Sequence, residues 1–351
     1  MDSEYQRRKE QFEAERDRLI EALGRITEGG IIEALEHIGA TSVPGMVGSS
    51  CIDIGLAVWP FPLEADPISS LKALEYEPVS EYEQSPEQRF RHASDGFQLF
   101  FVESGAAKWY DMLVMRDYLR DDEAARENLS NQKQNGTMPT SELFAQTLPA
   151  AHQWWIEHYG FAPVEAVAHE LKGVSFPWYI SGGWALDLFL GDVTRLHHDV
   201  DVVLPYSAQT ELRTHLTERG WKLVTPFEKR LERWPPHMIL QLPRHQVHAY
   251  REGNFIDFLL TDMDGVWRYQ RGPSVLRSLD RMGLTTDSGI PYLAPELALL
   301  FKSKNTSNKD RPKDQLDFEK VLPHLEAERR AWLYWALVAT SPDHPWIKQL
   351  I

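Results

Sequence analysis

Two acids flank a single valine at the head of a short apolar run, Asp199-Val200-Asp201-Val202-Val203-Leu204, and few folds satisfy both parts of that pattern. Side chains alternate faces along a strand, so Val200 and Val202 would enter a core while Asp199 and Asp201 share the other face. The stretch reads as a strand, Asp199–Leu204, in an α/β sheet. Two carboxylates held that close repel unless a cation neutralises them, so the pair calls for a divalent ion. A third acid, Asp257 in GNFIDFLLT, sits inside an apolar run where an unpaired charge would be costly. Ile256 and Phe258 share one face there, leaving Asp257 free to join the pair from a neighbouring strand.

Upstream, PWYISGGWALDLFLG reads as a strand (Trp178–Ile180), a glycine turn (Ser181–Gly183) and a helix (Trp184–Leu190). Glycine lets a backbone approach a phosphate, and a helix N-terminus adds free N–H groups and the positive end of a dipole. Turn, acids and cation together suit in-line nucleotidyl transfer, with one carboxylate taking the proton of the attacking hydroxyl. Each part alone is commonplace; their order within one segment carries the expectation.

A chain of 351 residues suits two domains. Gly160 and Pro163 interrupt the apolar pattern in HYGFAPVEAV, which sets expected domains of residues 1–162 and 163–351. The first half offers the same opening order as the second: helix, strand (around Glu36–Ile38), small-residue loop, then a strand with an acid (Cys51–Val58). The rest of that half reads as an exposed helix over residues 4–25, a helix in PISSLKALEYEPV, a strand in FQLFFVES, and helices from Trp109 to Trp155 broken at NQKQNGTMPTS. Beyond Thr261 a strand-poor stretch is expected, then helices near Pro295–Lys304, Asp314–Leu322 and Glu326–Val338.

The apolar fraction of 42 % with 25 % charged residues is that of a soluble globular protein. No run approaches the roughly 18 apolar residues of a membrane span, the first residues are charged throughout, and Cys51 is the sole cysteine. A cytoplasmic protein without a membrane partner is expected. Residues 1–150 hold 27 acids against 14 bases, a net of −13, and residues 151–351 hold a net of −2. This charge argues against extended nucleic-acid binding and favours cationic partners.

Other residues have plainer readings. His197 and His198 are adjacent and so face apart, which suits a loop role better than zinc ligation. Asp187 is expected to be buried with a partner, Trp184 to wall the pocket, and Asp314 to cap a helix in a solvent-exposed turn. Lys302 ends an apolar helix, where it either complements the dipole or meets a triphosphate. His245 and His248 are given no catalytic role.

The segment SGGWALDLFLGDVTRLHHDVDVV, with the later FKSKNTSNKDRPKDQLDFEKVLPHL, resembles the aminoglycoside adenylyltransferases of the 2″ type over about residues 163–351. That resemblance implies a polymerase-β-like nucleotidyltransferase core, ATP or another NTP, and magnesium. It puts Gly182 and Gly183 at the phosphates, Asp199 and Asp201 at the metal, and Asp257 as a further metal ligand or the base; Ser181 and Lys302 are the other expected nucleotide contacts, and all three acids are expected to be catalytic and metal-binding. HIGATSVPGMVGSSCIDIGLAV and MRDYLRDDEAARENLSNQK resemble the GrpB family over about residues 15–160. Here Ala40 replaces the loop's first serine, Ser49-Ser50 replaces a Lys-Pro pair, Gly55 lies two residues beyond Asp53, and FQLFFV holds no acid. The expectation is two tandem polymerase-β-like nucleotidyltransferase domains, each a small mixed sheet flanked by helices. The first is degenerate, with Gly39–Thr41 as a residual nucleotide contact; the second is competent.

The expected function is magnesium-dependent transfer of a nucleoside monophosphate from ATP or another NTP to a hydroxyl of a small, aminoglycoside-like acceptor. The alternatives are nucleotidylation of a protein or RNA, and a nucleotide-binding regulatory or scaffold protein without turnover.

Overall fold

The computed structural model describes residues 3–25, 30–47, 51–79, 87–136, 139–228, 230–251, 254–304 and 312–351. The chain divides into two compact units, residues 1–158 with 228–231, and residues 159–227 with 232–351.

The first unit opens with helix α1 (Ser3–Leu23) and strands β1 (Ile32–Ile38) and β2 (Ile52–Val58). Helix α2 (Ala65–Ala73) and strands β3 (Tyr76–Pro78), β4 (Glu87–His92) and β5 (Phe97–Glu103) follow, then helices α3 (Ala107–Asp121), α4 (Glu123–Asn135) and α5 (Thr140–Tyr159). The sheet order is β1-β2-β5-β4-β3. β2 is flanked by antiparallel β1 and parallel β5, and its residues from Ile54 to Val58 are all buried. A strand covered on both faces needs such an unbroken apolar run. Leu19, Ile32, Leu56, Phe90 and Leu99 pack on one face of the sheet, and Trp109 and Met112 pack with Ile38, Ala57 and Val102.

One strand appears that the sequence did not announce, and one expectation changes. The charged stretch EQRFRH is strand β4, because alternation buries Phe90 and His92 while Arg91 stays exposed. Residues 131–135, expected as a break, continue α4 to Gly136, whose left-handed backbone ends it. Ser49 and Ser50 lie outside the described residues.

The second unit contains α6 (Ala162–Glu170), β6 (Tyr179–Ile180), α7 (Gly182–Leu190), β7 (Asp201–Pro205), α8 (Gln209–Glu218), β8 (Lys222–Phe227), β9 (Arg230–Arg233), β10 (Gln246–Arg251) and β11 (Asn254–Thr261). Short strands β12 (Val266–Arg268), β13 (Leu276–Ser278), β14 (Gly283–Thr285) and β15 (Pro291–Leu293) occupy the stretch expected to be strand-poor. Three residues each is too short to leave a periodic signal. Helices α9 (Pro295–Ser303), α10 (Pro312–Val321) and α11 (Ala327–Thr340) close the unit. The large sheet runs β14-β15-β6-β7-β11-β10-β8-β9, with β7 between antiparallel β6 and parallel β11. Both units therefore set an acid-bearing strand between an antiparallel strand that ends in glycine and a parallel strand from further along the chain.

Candidate active site

The site forms where β6 turns into α7. Ser181 N–H donates to Asp201 O at 2.8 Å, and the chain then swings through Gly182 at φ 63°. A Cβ on Gly182 would lie 2.0 Å from Asp201 Oδ2, so glycine is required both by the left-handed backbone and by the carboxylate against it. A Cβ on Gly183 would strike His197 Cε1 at 2.3 Å and Arg195 Nη2 at 2.5 Å. The turn residue is already the first residue of the helix, and the Ser181 side chain does not cap it. A helix start of this kind presents N–H groups that favour an anion.

Asp201 opens β7, and parallel pairing sets it opposite Asp257 on β11. Asp199 lies before the strand, not in it: its carbonyl accepts from Trp184 Nε1 at 2.9 Å, which ties that backbone to α7. The three acids grade in burial, with Asp199 exposed, Asp201 half-buried and Asp257 buried. Burial first, then the charge of Asp201, raises the Asp257 carboxyl well above its ordinary range; the Gln246 hydrogen bond opposes this, and Asp199 adds to it. Gln246 Nε2 donates to Asp257 Oδ2 at 2.6 Å, but the buried Oδ1 has no hydrogen-bond partner among the described residues. His248, paired with Asp257 across β10 and β11, brings Nε2 only to 3.8 Å of that oxygen. Burial lowers the His248 ring to about 4, so it is neutral at pH 7 and offers no charge.

A buried carboxylate oxygen with no donor fits a cation. Among the described residues no three His, Cys, Asp or Glu side chains close into a ready-made metal cluster.

Behind the acids lies a buried network. Asp187 accepts from Thr194 N at 3.1 Å, Thr194 Oγ1 at 2.8 Å and His197 Nε2 at 2.6 Å. The His197 ring packs on Trp184 at 4.5 Å, and Trp184 is 1 % exposed. Trp184 is thus a core residue supporting the Asp199 loop, not the pocket wall expected of it. Arg195 reaches Asp317 with two hydrogen bonds, at 3.0 and 2.9 Å. Lys302 joins the same carboxylate at 2.8 Å and Asp314 at 3.1 Å. Asp314 is fully buried within the first turn of α10, where an exposed cap was expected. The structure brings Ser181, Gly182, Asp201 and Asp257 together, with Asp199 beside them and Gly183 under Arg195 and His197; Lys302 is engaged by two acids. Sequence reasoning missed Gln246. Alternation in QVHAY puts it on the His248 face, but only strand register reveals that Asp257 lies opposite His248 and diagonal to Gln246.

This geometry is of a nucleotidyltransferase-fold class, with a glycine turn abutting acids on two parallel strands. Residues 3–147 match the family model described as GrpB protein, and residues 163–318 match that of aminoglycoside-2″-adenylyltransferase. The two matches fall one after the other along the chain. A UPF0157 protein of Streptomyces coelicolor is 33 % identical over 117 residues, 32 % of this chain and 59 % of that protein. A 2″-aminoglycoside nucleotidyltransferase of Escherichia coli is 35 % identical over 54 residues, 15 % of this chain and 30 % of that protein. The chain thus spans well under two thirds of either relative. A crystal structure of ANT(2″)-Ia in complex with adenylyl-2″-tobramycin aligns with 15 % identity and a TM-score of 0.37, covering 50 % of this chain and 97 % of that one.

Proposed function

We propose that the second unit transfers a nucleoside monophosphate from ATP or another NTP to a hydroxyl of a small acceptor. The observation that carries this reading is Asp257 Oδ1, buried without a donor opposite Asp201 and beside the glycine turn. In this reading Asp201 and Asp257, with Asp199, hold magnesium, which when bound supplies positive charge to the phosphates of the nucleotide. The first N–H groups of α7, from Gly182 onward, receive the polyphosphate, and Ser181 and Gly183 shape its backbone cradle. The acceptor oxygen attacks the α-phosphorus, the bond to the β-phosphate oxygen breaks, and pyrophosphate leaves. Asp257, buried opposite Asp201, is also the carboxylate placed to take the hydroxyl proton. Gln246 fixes Asp257 by its other oxygen. Lys302 acts at one remove: it holds Asp314 and Asp317, and Asp317 holds Arg195 over Gly183.

The matched family points to a cationic amino-sugar alcohol as acceptor. An ammonium-bearing ligand also suits a rim formed by the exposed Asp199. Among the described residues no helix is long and apolar enough to cross a membrane. The test is pyrophosphate release with magnesium, each NTP and a panel of aminoglycosides and neutral alcohols, with Asp201→Ala as control. Release that requires an amino-sugar acceptor and vanishes in the variant is expected. Equal release from both proteins would overturn the proposal.

A further inference from the structure

The two units can be aligned position by position through strand register alone. Ser181 pairs with Asp201 through its N–H, and Ile38 pairs with Asp53, so Ile38 matches Ser181 and Gly39 matches Gly182. The glycines agree in detail. Gly39 has φ 69°, and a Cβ there would lie 2.2 Å from Asp53 Oδ2, as one on Gly182 would meet Asp201. Asp53 therefore corresponds to Asp201, and the position of Asp199 is taken by Cys51. This corrects the expectation that Gly55 marks the lost partner acid. Asp53 pairs in parallel with Gln98, as Asp201 does with Asp257, and Gln98 pairs with Arg91, as Asp257 does with His248. The row Asp201-Asp257-His248 has become Asp53-Gln98-Arg91.

Two of three acids are gone, and a guanidinium stands where the second unit has a neutral ring. One carboxylate beside a guanidinium offers a divalent ion less negative charge than the two acids and neutral ring of the second unit. Positive charge is supplied here by the chain itself. Burial pushes the Asp53 carboxyl up to about 6, and the charges of Lys133 on α4, Arg89 and Arg91 oppose this; Lys133 is half-buried with no ion-pair partner among the described residues. Arg89 is committed to Glu87, whereas Arg91 is exposed and meets Asp95 only at 4.0 Å.

We propose that the first unit binds a phosphate-bearing ligand beside the Gly39 turn without a divalent metal, with Arg91 and Lys133 replacing the cation. The idea does not depend on turnover in the second unit. It is tested on the full chain carrying Asp201→Asn, which disables the other site, by calorimetric titration with ATP, tripolyphosphate and adenosine in EDTA and again in magnesium. Binding of ATP or tripolyphosphate in EDTA, unchanged by magnesium, is expected. Arg91→Glu or Lys133→Glu should weaken it about tenfold or more, as loss of a charge-assisted contact requires. Asp53→Asn separates the alternatives by sign: removing a negative charge beside a metal-free phosphate tightens binding, whereas removing a metal ligand weakens it. Tripolyphosphate binding as tightly as ATP assigns the site to the phosphates alone, and adenosine competition assigns it to a nucleotide. No heat in EDTA, or binding indifferent to both charge reversals, would overturn the proposal, whatever the pyrophosphate assay shows.

Discussion

At the scale of single residues, the site depends on what one atom more or less would do. Gly182 combines a left-handed backbone with a carboxylate in the space of its missing Cβ. Gly182→Ala should cost about 1–2 kcal/mol in backbone strain and also push Asp201 off its position. Displacement of about 1 Å at a reacting centre is enough for a loss near a hundredfold in kcat, measured as pyrophosphate release. Asp257→Asn should lower kcat by about a hundredfold or more if the carboxylate takes the proton. Its stability effect runs the other way. A carboxyl whose folded pKa is raised contributes stability below its unfolded value near 4, and that contribution is lost as pH rises through the folded pKa. In EDTA at pH 8, Asp257→Asn should therefore melt higher than wild type, and the difference should close toward pH 4. A variant that is less stable at pH 8 would contradict the burial and repulsion argued for Asp257. His248 moves oppositely, losing stability as pH falls from 6.5 toward 4, but it is common to both proteins and cancels in the difference.

At the scale of elements, the segment between α7 and β7 holds the exposed acid, and it is fixed from behind rather than by strand pairing. Asp187, His197 and Trp184 anchor it to α7, and Arg195 anchors it to α10 through Asp317. Burial alone would raise Asp317, but its hydrogen bonds from Arg195 and the charge of Lys302 pull it down to about 2. The stability this gives is present above the unfolded pKa near 4 and is lost as pH falls through about 2. Asp317→Asn leaves Arg195 facing a neutral amide and Lys302 with Asp314 alone. Breaking a buried ion network of this kind costs about 3 kcal/mol, to be read from denaturant unfolding at pH 7. A cost under about 0.5 kcal/mol would show that the network is solvent-screened and does not brace the loop.

At the scale of the whole molecule, the order of elements was legible and their register was not. Alternation in Asp199–Leu204 and the apolar setting of Asp257 announced two strands and their acids, because periodicity two survives in a short run. Nothing local could tell that Asp199 stops short of the strand, since its carbonyl is claimed by an indole on a preceding helix. Arg91, Gln98 and Asp53 are likewise spread over 46 positions and share a face only once β4, β5 and β2 align. The erosion of the first unit could be seen as missing acids, but its replacement chemistry could not. From that asymmetry follows a prediction for the intact chain. Magnesium with a nonhydrolysable NTP should raise its melting temperature by a few degrees, about 2.7 kcal/mol when the ligand is a hundredfold above Kd. Asp201→Asn should abolish the magnesium-dependent part of this shift, and Asp53→Asn should leave it intact, because only one unit keeps enough acids to need the ion. A magnesium-dependent shift that survives Asp201→Asn and disappears with Asp53→Asn would reverse the assignment of the two units.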